Sequence, residues 1–170
     1  PLVDPCCGSG VLLIEAALTA LQQAPGLERR FALEGWADFQ PDLWDKEVDR
    51  ARQRRRRDLT LPPLLGIETD PTIADQARAN VEAAGLSGVI RICTGSFSDQ
   101  PLPDGPGVLL CNPPYGQRIG DKAALEELYR ELGNYAKTKA PGWRLWLLSG
   151  NRNLTGALRL KAEQRIPVSN

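Results

Sequence analysis

Hydrophobic residues along the chain alternate between short apolar runs and longer stretches with helical spacing. The apolar runs are typical of buried strands and occupy Pro1–Asp4, Leu64–Ile67, Val89–Cys93, Val108–Cys111 and Trp143–Leu148. Helical spacing is found over Val11–Leu21, Thr72–Ala84, Lys122–Lys137 and Asn153–Leu160, and a sixth strand is expected to begin at Ile166. Strands that alternate with helices predict an α/β fold with a parallel, doubly wound sheet.

One connection, residues 26–62, is far longer than the usual link between a helix and the next strand. We expect this insertion to contain a helix over Pro41–Arg57. It also contains four aromatic residues, Phe31, Trp36, Phe39 and Trp44. Their side chains are expected to pack the insertion onto the core.

The predicted helix of the insertion ends in a run of four arginines, Arg54, Arg55, Arg56 and Arg57. Cations at this position are typical of a solvated helix end, where they favour the negative pole of the helix dipole. Guanidinium groups also fork well onto phosphate oxygens, so a phosphate-contacting edge beside an active site is the alternative.

Length and composition are typical of one globular domain over residues 1–170. The 170 residues are 42% hydrophobic and 25% charged, and 21 basic residues balance 21 acidic ones, so any nucleic-acid surface must be local. There is no apolar run near 18 residues and no signal-peptide pattern, so we expect a cytoplasmic protein without a membrane span. We also expect a monomer.

Cysteine and histidine content excludes several kinds of chemistry. The chain has no histidine, which removes Ser-His and Cys-His nucleophile schemes. Its four cysteines, Cys6, Cys7, Cys93 and Cys111, form no CxxC pair, so neither a zinc site nor any other metal site is expected. We expect all four to be reduced and structural.

A glycine-containing turn, Asp4-Pro5-Cys6-Cys7-Gly8-Ser9-Gly10, joins the first strand to the first helix. In a doubly wound sheet this is the position where a nucleotide binds. The spacing is not GxGxxG, which disfavours a nicotinamide oxidoreductase. A carboxylate at Asp4 suits an ammonium group better than a pyrophosphate. The alternative is a tight turn without a ligand.

Polar residues follow the second and third strands at the matching depth. Glu68 ends the second strand, where an acidic side chain can accept both hydroxyls of a ribose, although a solvated strand end would also explain it. Ser96 and Phe97 follow the third strand and could contact the edge and face of an adenine ring.

The sharpest feature is Asn112-Pro113-Pro114-Tyr115, directly after the fourth strand. Each proline restricts the residue before it, so the loop is stiff. The Asn112 amide oxygen and the Pro113 carbonyl are expected to face one small donor, with the Tyr115 ring free to stack on a planar group. A rigid turn with no ligand is the alternative.

The segments DPCCGSG, ETDP and NPPYGQR, in this order, resemble class I methyltransferases, and specifically the THUMP-linked 23S ribosomal RNA guanine-N2 methyltransferases. The likeness extends to LLIEAAL, APGLERRFALEGWADF, NPPYGQRIGD and LYRELGNYAK, and therefore covers nearly the whole chain. NPPY alone also occurs in adenine-N6 DNA and glutamine-N5 protein methyltransferases, which are the alternatives, together with a non-catalytic RNA-binding module. Relative to this family, we expect the Rossmann-like sheet to be truncated at both ends and the THUMP region to be absent.

The resemblance implies S-adenosylmethionine as the cofactor, ribosomal RNA as the substrate, and a role for individual residues. The implied cofactor-binding residues are Asp4, Pro5, Cys6, Cys7, Gly8, Ser9, Gly10, Glu68, Thr69, Ser96 and Phe97. Ser96 stands where relatives often carry Asp. The implied catalytic residues are Asn112, Pro113, Pro114 and Tyr115, and the expected RNA contacts are Arg54, Arg55, Arg56, Arg57 and Arg118.

Overall fold

Strands and helices alternate as the pattern predicts in a computed structural model, which describes residues 1–27, 29–114 and 122–168. The strands are β1 (Leu2–Asp4), β2 (Leu64–Glu68), β3 (Ile90–Thr94), β4 (Val108–Cys111) and β5 (Arg144–Leu147). The helices are α1 (Val11–Ala20), α2 (Pro41–Arg54), α3 (Pro71–Ala83), α4 (Lys122–Thr138) and α5 (Arg152–Ala157).

The described strands form one parallel sheet in the order β3-β2-β1-β4-β5, which confirms the doubly wound prediction. The central strand β1 pairs with β2 on one side and β4 on the other, with Leu2 opposite both Leu64 and Val108. After β1 the chain first adds β2 and β3 on one side of it and later adds β4 and β5 on the other side. Ligands of such sheets bind at this switch point, at the carboxyl ends of the strands.

Each face of the sheet is covered by a different pair of helices. On one face, α1 and α3 supply Leu13, Ala17 and Val81 to a buried cluster. On the other face, Tyr129 and Leu132 of α4 pack in a second buried cluster, which also receives residues of α5. Helices on both faces fix the strand ends, so the polar residues that follow the strands are held on a rigid frame.

The insertion differs from its prediction in two respects. Helix α2 ends at Arg54, so the rest of the arginine run lies beyond the helix. Its aromatic side chains pack on one another and not on the core: Phe31 meets Trp44 edge-on with ring centroids 5.6 Å apart, and Trp36 is 66% exposed. No residue of α2 is buried. The charged residues that dominate this helix leave it too little apolar surface for a closer fit.

The carboxyl-terminal part also differs from the pattern. The last helix spans Arg152–Ala157 and is shorter than predicted, and no strand forms at Ile166 within the residues described up to 168. Ile166 is instead 58% exposed. Of the described helices, none combines the length and apolar character that crossing a bilayer requires.

Candidate functional site

The strand order brings the predicted polar residues to one edge of the sheet. Asp4 ends β1, Glu68 ends β2, and Asn112 follows the last residue of β4. Because β1 lies between β2 and β4 and all three are parallel, these side chains start from adjacent strand ends. The sequence-based expectation that they share a crevice agrees with this arrangement.

The turn between β1 and α1 depends on glycine at two positions. Gly8 has φ +52° and Gly10 has φ +83°, values that side-chain-bearing residues rarely adopt. A Cβ on Gly8 would meet no atom within 4 Å, so its backbone borders open space. Gly10 donates a backbone hydrogen bond to the Cys7 carbonyl at 2.8 Å, which closes the turn. The open side at Gly8 is where a ligand could approach the backbone.

Glu68 ties the second strand to this turn. One carboxylate oxygen accepts a hydrogen bond from the Gly8 backbone N at 3.0 Å, and the other accepts from the Asp70 backbone N at 3.0 Å and from the Thr69 hydroxyl at 3.2 Å. A carboxylate has about four acceptor positions, so Glu68 retains capacity for a further donor. Thr69 itself is exposed and contacts Glu68.

Helix α3 and strand β2 both form hydrogen bonds to the same turn. The Asn80 side-chain amide donates to the Ser9 carbonyl at 2.9 Å, and the backbone N of Cys7 donates to the Ile67 carbonyl at 2.9 Å. The turn is therefore fixed in position before any ligand arrives. Sequence reasoning missed Asn80, because its partner lies 71 residues away and nothing local to α3 indicates that contact.

Asp4 is a buried carboxyl group with little compensation for its charge. It is 1% exposed, and one of its oxygens accepts a hydrogen bond from the Cys6 backbone N at 3.1 Å. The pKa of Asp4 is raised from 3.8 to about 7, mainly by burial; the Cys6 hydrogen bond opposes this rise and the nearby Glu68 carboxylate adds to it. Such a group favours a cationic ligand, which would restore the balance of charge.

The cysteines near the turn are free thiols, as expected, and two of them, Cys7 and Cys111, are poor nucleophiles. Burial raises the pKa of Cys7 to about 12. The pKa of Cys111 is raised far above its ordinary value, because its thiol is hydrogen-bonded to that of Cys6 and is also buried. The thiolate is the reactive form, so these groups fill space at neutral pH. The neighbouring Pro5 is buried as well.

The residues after β3 have contacts within the protein. The Ser96 hydroxyl accepts from the Ser98 backbone N at 3.2 Å and lies 2.9 Å from the Ser98 hydroxyl. Phe97 is only 3% exposed, and its ring packs edge-on against Tyr135 with centroids 5.2 Å apart. Packing in the core therefore covers most of the surface of the Phe97 ring. The contacts of Ser96 and Phe97 with adenine stay a prediction.

The loop after β4 presents Asn112 to solvent and anchors itself through the next residue. Asn112 is exposed, Pro113 is buried, and Pro114 is exposed. The proline pair restricts the backbone at Asn112, as expected from the sequence. Two further predicted residues, Tyr115 and Arg118, lie outside the described residues.

The arginine run is not beside this edge of the sheet. The backbone N of Arg56 donates to the Leu21 carbonyl at 2.7 Å, just after the end of α1. Helix α1 starts at the glycine turn, and its ten residues span about 15 Å at 1.5 Å per residue. The backbone of the run therefore lies near the end of α1 that is farther from the glycine turn. Contact with RNA elsewhere stays a prediction.

The end of β5 is a second feature that sequence reasoning missed. The backbone N of Leu148 donates to the Cys111 carbonyl at 2.9 Å, so the residues after β5 emerge beside Asn112. They include Ser149 and Arg152. At the other strand ends, the signal was an apolar run followed by polar residues. The same pattern follows Trp143–Leu148 and would have indicated the polar segment after β5.

The fold and the site together define a class of protein. A parallel sheet of order 3-2-1-4-5 with a glycine turn after β1 and a carboxylate after β2 is a Rossmann-like arrangement. The model of the UPF0020 family, described as an RMKL-like methyltransferase domain, matches residues 1–170. The chain belongs to this family, which confirms the resemblance at family level.

Two curated relatives are each 39% identical to this chain. One, from Synechocystis, carries the provisional name of an RNA methyltransferase, and the match covers 100% of this chain and 44% of that protein. The other is ribosomal RNA large subunit methyltransferase K/L from a Marinomonas strain, with 99% of this chain and 24% of that protein covered. The chain thus spans less than half the length of either relative.

Solved structures agree with the fold. A provisionally assigned methyltransferase, SMU.472, crystallised with SAH, is 32% identical, has a TM-score of 0.86, and is matched over 96% of this chain and 43% of its own. A Listeria monocytogenes protein provisionally described as an N6-adenine-specific DNA methylase is 33% identical with the same TM-score and the same coverage. These likenesses confirm the Rossmann-like methyltransferase fold.

Proposed function

We propose that this chain is the catalytic core of an S-adenosylmethionine-dependent methyltransferase that acts on the exocyclic N2 amine of a guanine in ribosomal RNA. The observation that carries the proposal is that exposed Asn112 follows β4, while buried Asp4 and the glycine turn lie at the end of the adjacent strand β1, at the same edge of the sheet. The family match and the relative named for ribosomal RNA support the reaction and the substrate class.

The residues at the turn fit the proposed cofactor by the chemistry of their side chains. S-adenosylmethionine carries an ammonium group and a sulfonium group, and Asp4 is a buried carboxyl with a raised pKa that a cation would favour in its charged form. Glu68 retains acceptor capacity for a ribose hydroxyl. The backbone at Gly8 borders open space. The protein crystallised with SAH supports the same assignment.

The Asn112 loop would act on the amine of the target base. That amine is a poor nucleophile because its lone pair is delocalised into the ring. The Asn112 amide oxygen and the Pro113 carbonyl would accept its two N–H groups and favour a pyramidal geometry, so that the lone pair points at the methyl group. When bound, the cofactor supplies that methyl group as an electrophile on sulfur. Formation of the N–C bond would be matched by loss of the S–C bond, and the amine would release its surplus proton to solvent.

A base inside a helix cannot reach this loop, so the target nucleotide must be flipped out or already unpaired. The Tyr115 ring would stack on it, as the sequence predicts. The restricted backbone at Asn112 would limit where its side-chain amide can lie, so that less reorganisation is needed at the moment of reaction.

The direct test is methyl transfer from labelled cofactor by the full-length protein. We expect label in ribosomal RNA from cells that lack the gene, and N2-methylguanosine among the nucleosides when that RNA is digested and analysed by mass spectrometry. RNA from cells that carry the gene serves as the control and should accept little label. Label in RNA but on another base would refute the guanine assignment and leave the enzyme class intact.

A second candidate is methylation of adenine N6 in DNA, the activity for which the similar Listeria protein is named. The same two acceptors would suit the N6 amine equally well, because they contact only its N–H groups. Parallel assays with DNA and with protein fractions decide between the candidates. Transfer to DNA and not to RNA would replace the proposed substrate, and transfer to a protein glutamine would do the same.

A further inference from the structure

The segment after β5 is built into the edge of the crevice. The Leu148 N to Cys111 O hydrogen bond extends the pairing of β4 and β5 to the last residue before Asn112. The Ser149 hydroxyl then bonds both the backbone N and the backbone carbonyl of Asn151 at 3.2 Å. These contacts fix the start of the segment that carries Arg152.

Charge is divided across this edge of the sheet. Acidic residues lie at the ends of β1, β2 and β3: Asp4 ends β1, Glu68 ends β2, Asp70 follows β2 and Asp99 follows β3. On the other side, residues 112–114 and 148–153 contain one cation, Arg152, and no acid. Exposed acids at the first half disfavour a polyanion, and Arg152 offers it a cation at the second. The acidic half suits a cationic cofactor, which leaves the half at β4 and β5 for an RNA backbone.

The Arg152 side chain is available for such a contact. It is exposed, and in the part of the chain that the structure describes it forms no ion pair. Arg78 and Arg130, by contrast, are each paired with an acid three residues away. A free guanidinium group can fork onto two phosphate oxygens.

We infer that the RNA backbone crosses the edge at β4 and β5, and that Arg152 binds a phosphate close to the target nucleotide. The inference rests on the proposed RNA substrate. It adds Arg152 to the expected RNA contacts at this edge, which the run Arg54–Arg57 does not border because it lies beyond the far end of α1. Arg152 binds the backbone and carries no information about the base.

The test compares Arg152→Gln with Arg144→Gln in the full-length protein. Arg144 is also exposed, but it is the first residue of β5 and lies at the amino ends of the strands. At 3.3 Å per residue it is roughly 13 Å from Leu148, where the segment that carries Arg152 begins. Both changes remove one positive charge. Only Arg152→Gln should raise KM for ribosomal RNA, by about tenfold or more for a lost charged hydrogen bond. KM for S-adenosylmethionine and kcat at saturating RNA should not change.

Salt dependence gives a second readout that a structural defect would not mimic. Loss of one phosphate contact should reduce the slope of log KM against log salt by roughly 0.7 to 0.9. Arg152→Lys should restore part of the affinity, since it keeps the charge without the fork. Equal KM and slope for both glutamine variants would overturn the inference. If the wild-type protein methylates no RNA, the proposed function itself fails. If the wild-type protein methylates RNA and the two glutamine variants have equal KM and slope, only the role of Arg152 fails.

Discussion

Glu68 accepts a hydrogen bond from the backbone N of Gly8 at 3.0 Å, so the carboxylate proposed to hold the cofactor also holds the turn on which the cofactor would rest. Its second oxygen accepts from the Asp70 backbone N. One side chain therefore links the ends of β1 and β2 to the start of α3. Changes at Glu68 are expected to affect both ligand affinity and the shape of the turn.

Glu68→Ala should weaken binding of S-adenosylmethionine by about 1.5 to 3 kcal/mol, because hydrogen bonds to a charged acceptor are lost. Calorimetry on the full-length protein would measure it. Glu82→Ala is the matched control, since Glu82 is an exposed acid on α3 and should leave affinity unchanged. Unchanged affinity in Glu68→Ala would show that the role of Glu68 is limited to its hydrogen bonds with the turn and does not include the cofactor.

The buried carboxyl of Asp4 should make stability depend on pH. Its pKa is about 7 in the folded protein and near 3.8 when unfolded, so between these values only the folded state keeps the proton. The stabilising contribution is thus full below pH 4 and is lost as pH rises to 7, at no more than about 1.4 kcal/mol per pH unit. Asp4→Asn should remove this loss. Parallel unfolding free energies for the two proteins from pH 4 to 8 would contradict the burial effect.

Asn112 should act on the transition state more than on binding. Asn112→Ala is expected to leave cofactor affinity near normal and to reduce methyl transfer by roughly 10²-fold, as for the loss of one preorganised electrostatic partner. Single-turnover transfer at saturating RNA is the measurement. Tyr115→Ala is expected to differ from Asn112→Ala, because loss of ring stacking should also weaken the binding of RNA by about 1 to 3 kcal/mol. A near-wild-type rate for Asn112→Ala would rule out the proposed mechanism.

The arginine run should contribute to RNA affinity only at a distance from the chemistry. Replacing Arg54 to Arg57 with Gln is expected to lower RNA affinity and flatten its salt dependence, while cofactor affinity and the rate at saturating RNA stay unchanged. Filter binding over a range of salt concentrations measures both effects. An unchanged salt slope would identify the run as a solvated helix end.

Gly66 lies where three elements meet in the core. A Cβ there would lie 2.7 Å from the Ile92 Cδ1 and 2.9 Å from both the Cys7 Sγ and the Leu13 Cδ1. Gly66→Ala should therefore destabilise the protein by about 1 to 3 kcal/mol through overpacking. Gly88→Ala is the control, because a Cβ there meets nothing within 4 Å. Equal thermal unfolding of the two variants would show that the core adjusts to the extra methyl group.

Strand positions and the polar residues that follow them were predictable because both depend on local pattern. Leu64–Ile67 and Val108–Cys111 form strands as expected, and their tips carry Glu68 and Asn112. The end of α2 was not predictable, since Arg55 continues the same polar composition while its backbone turns to an extended conformation.

Contacts between distant segments were also beyond the sequence. The bond from Asn80 to Ser9 and the bond from Arg56 to Leu21 depend on how helices pack on the sheet. The second of these contacts decided where the arginine run lies. A charge pattern alone specifies that a run is solvated, but not which edge of the sheet it borders.

The central position of β1 has a consequence for how the chain folds. Leu2 pairs with Val108, more than a hundred residues away, whereas β4 and β5 are joined through α4 alone. Forming the middle of the sheet therefore requires closure of a very long loop, and pairings of this kind slow folding. The glycine turn follows β1 directly and is held by contacts with Ile67, Glu68 and Asn80, so the segment that is proposed to receive the cofactor would take its final shape only after a segment 60 residues away has joined β1.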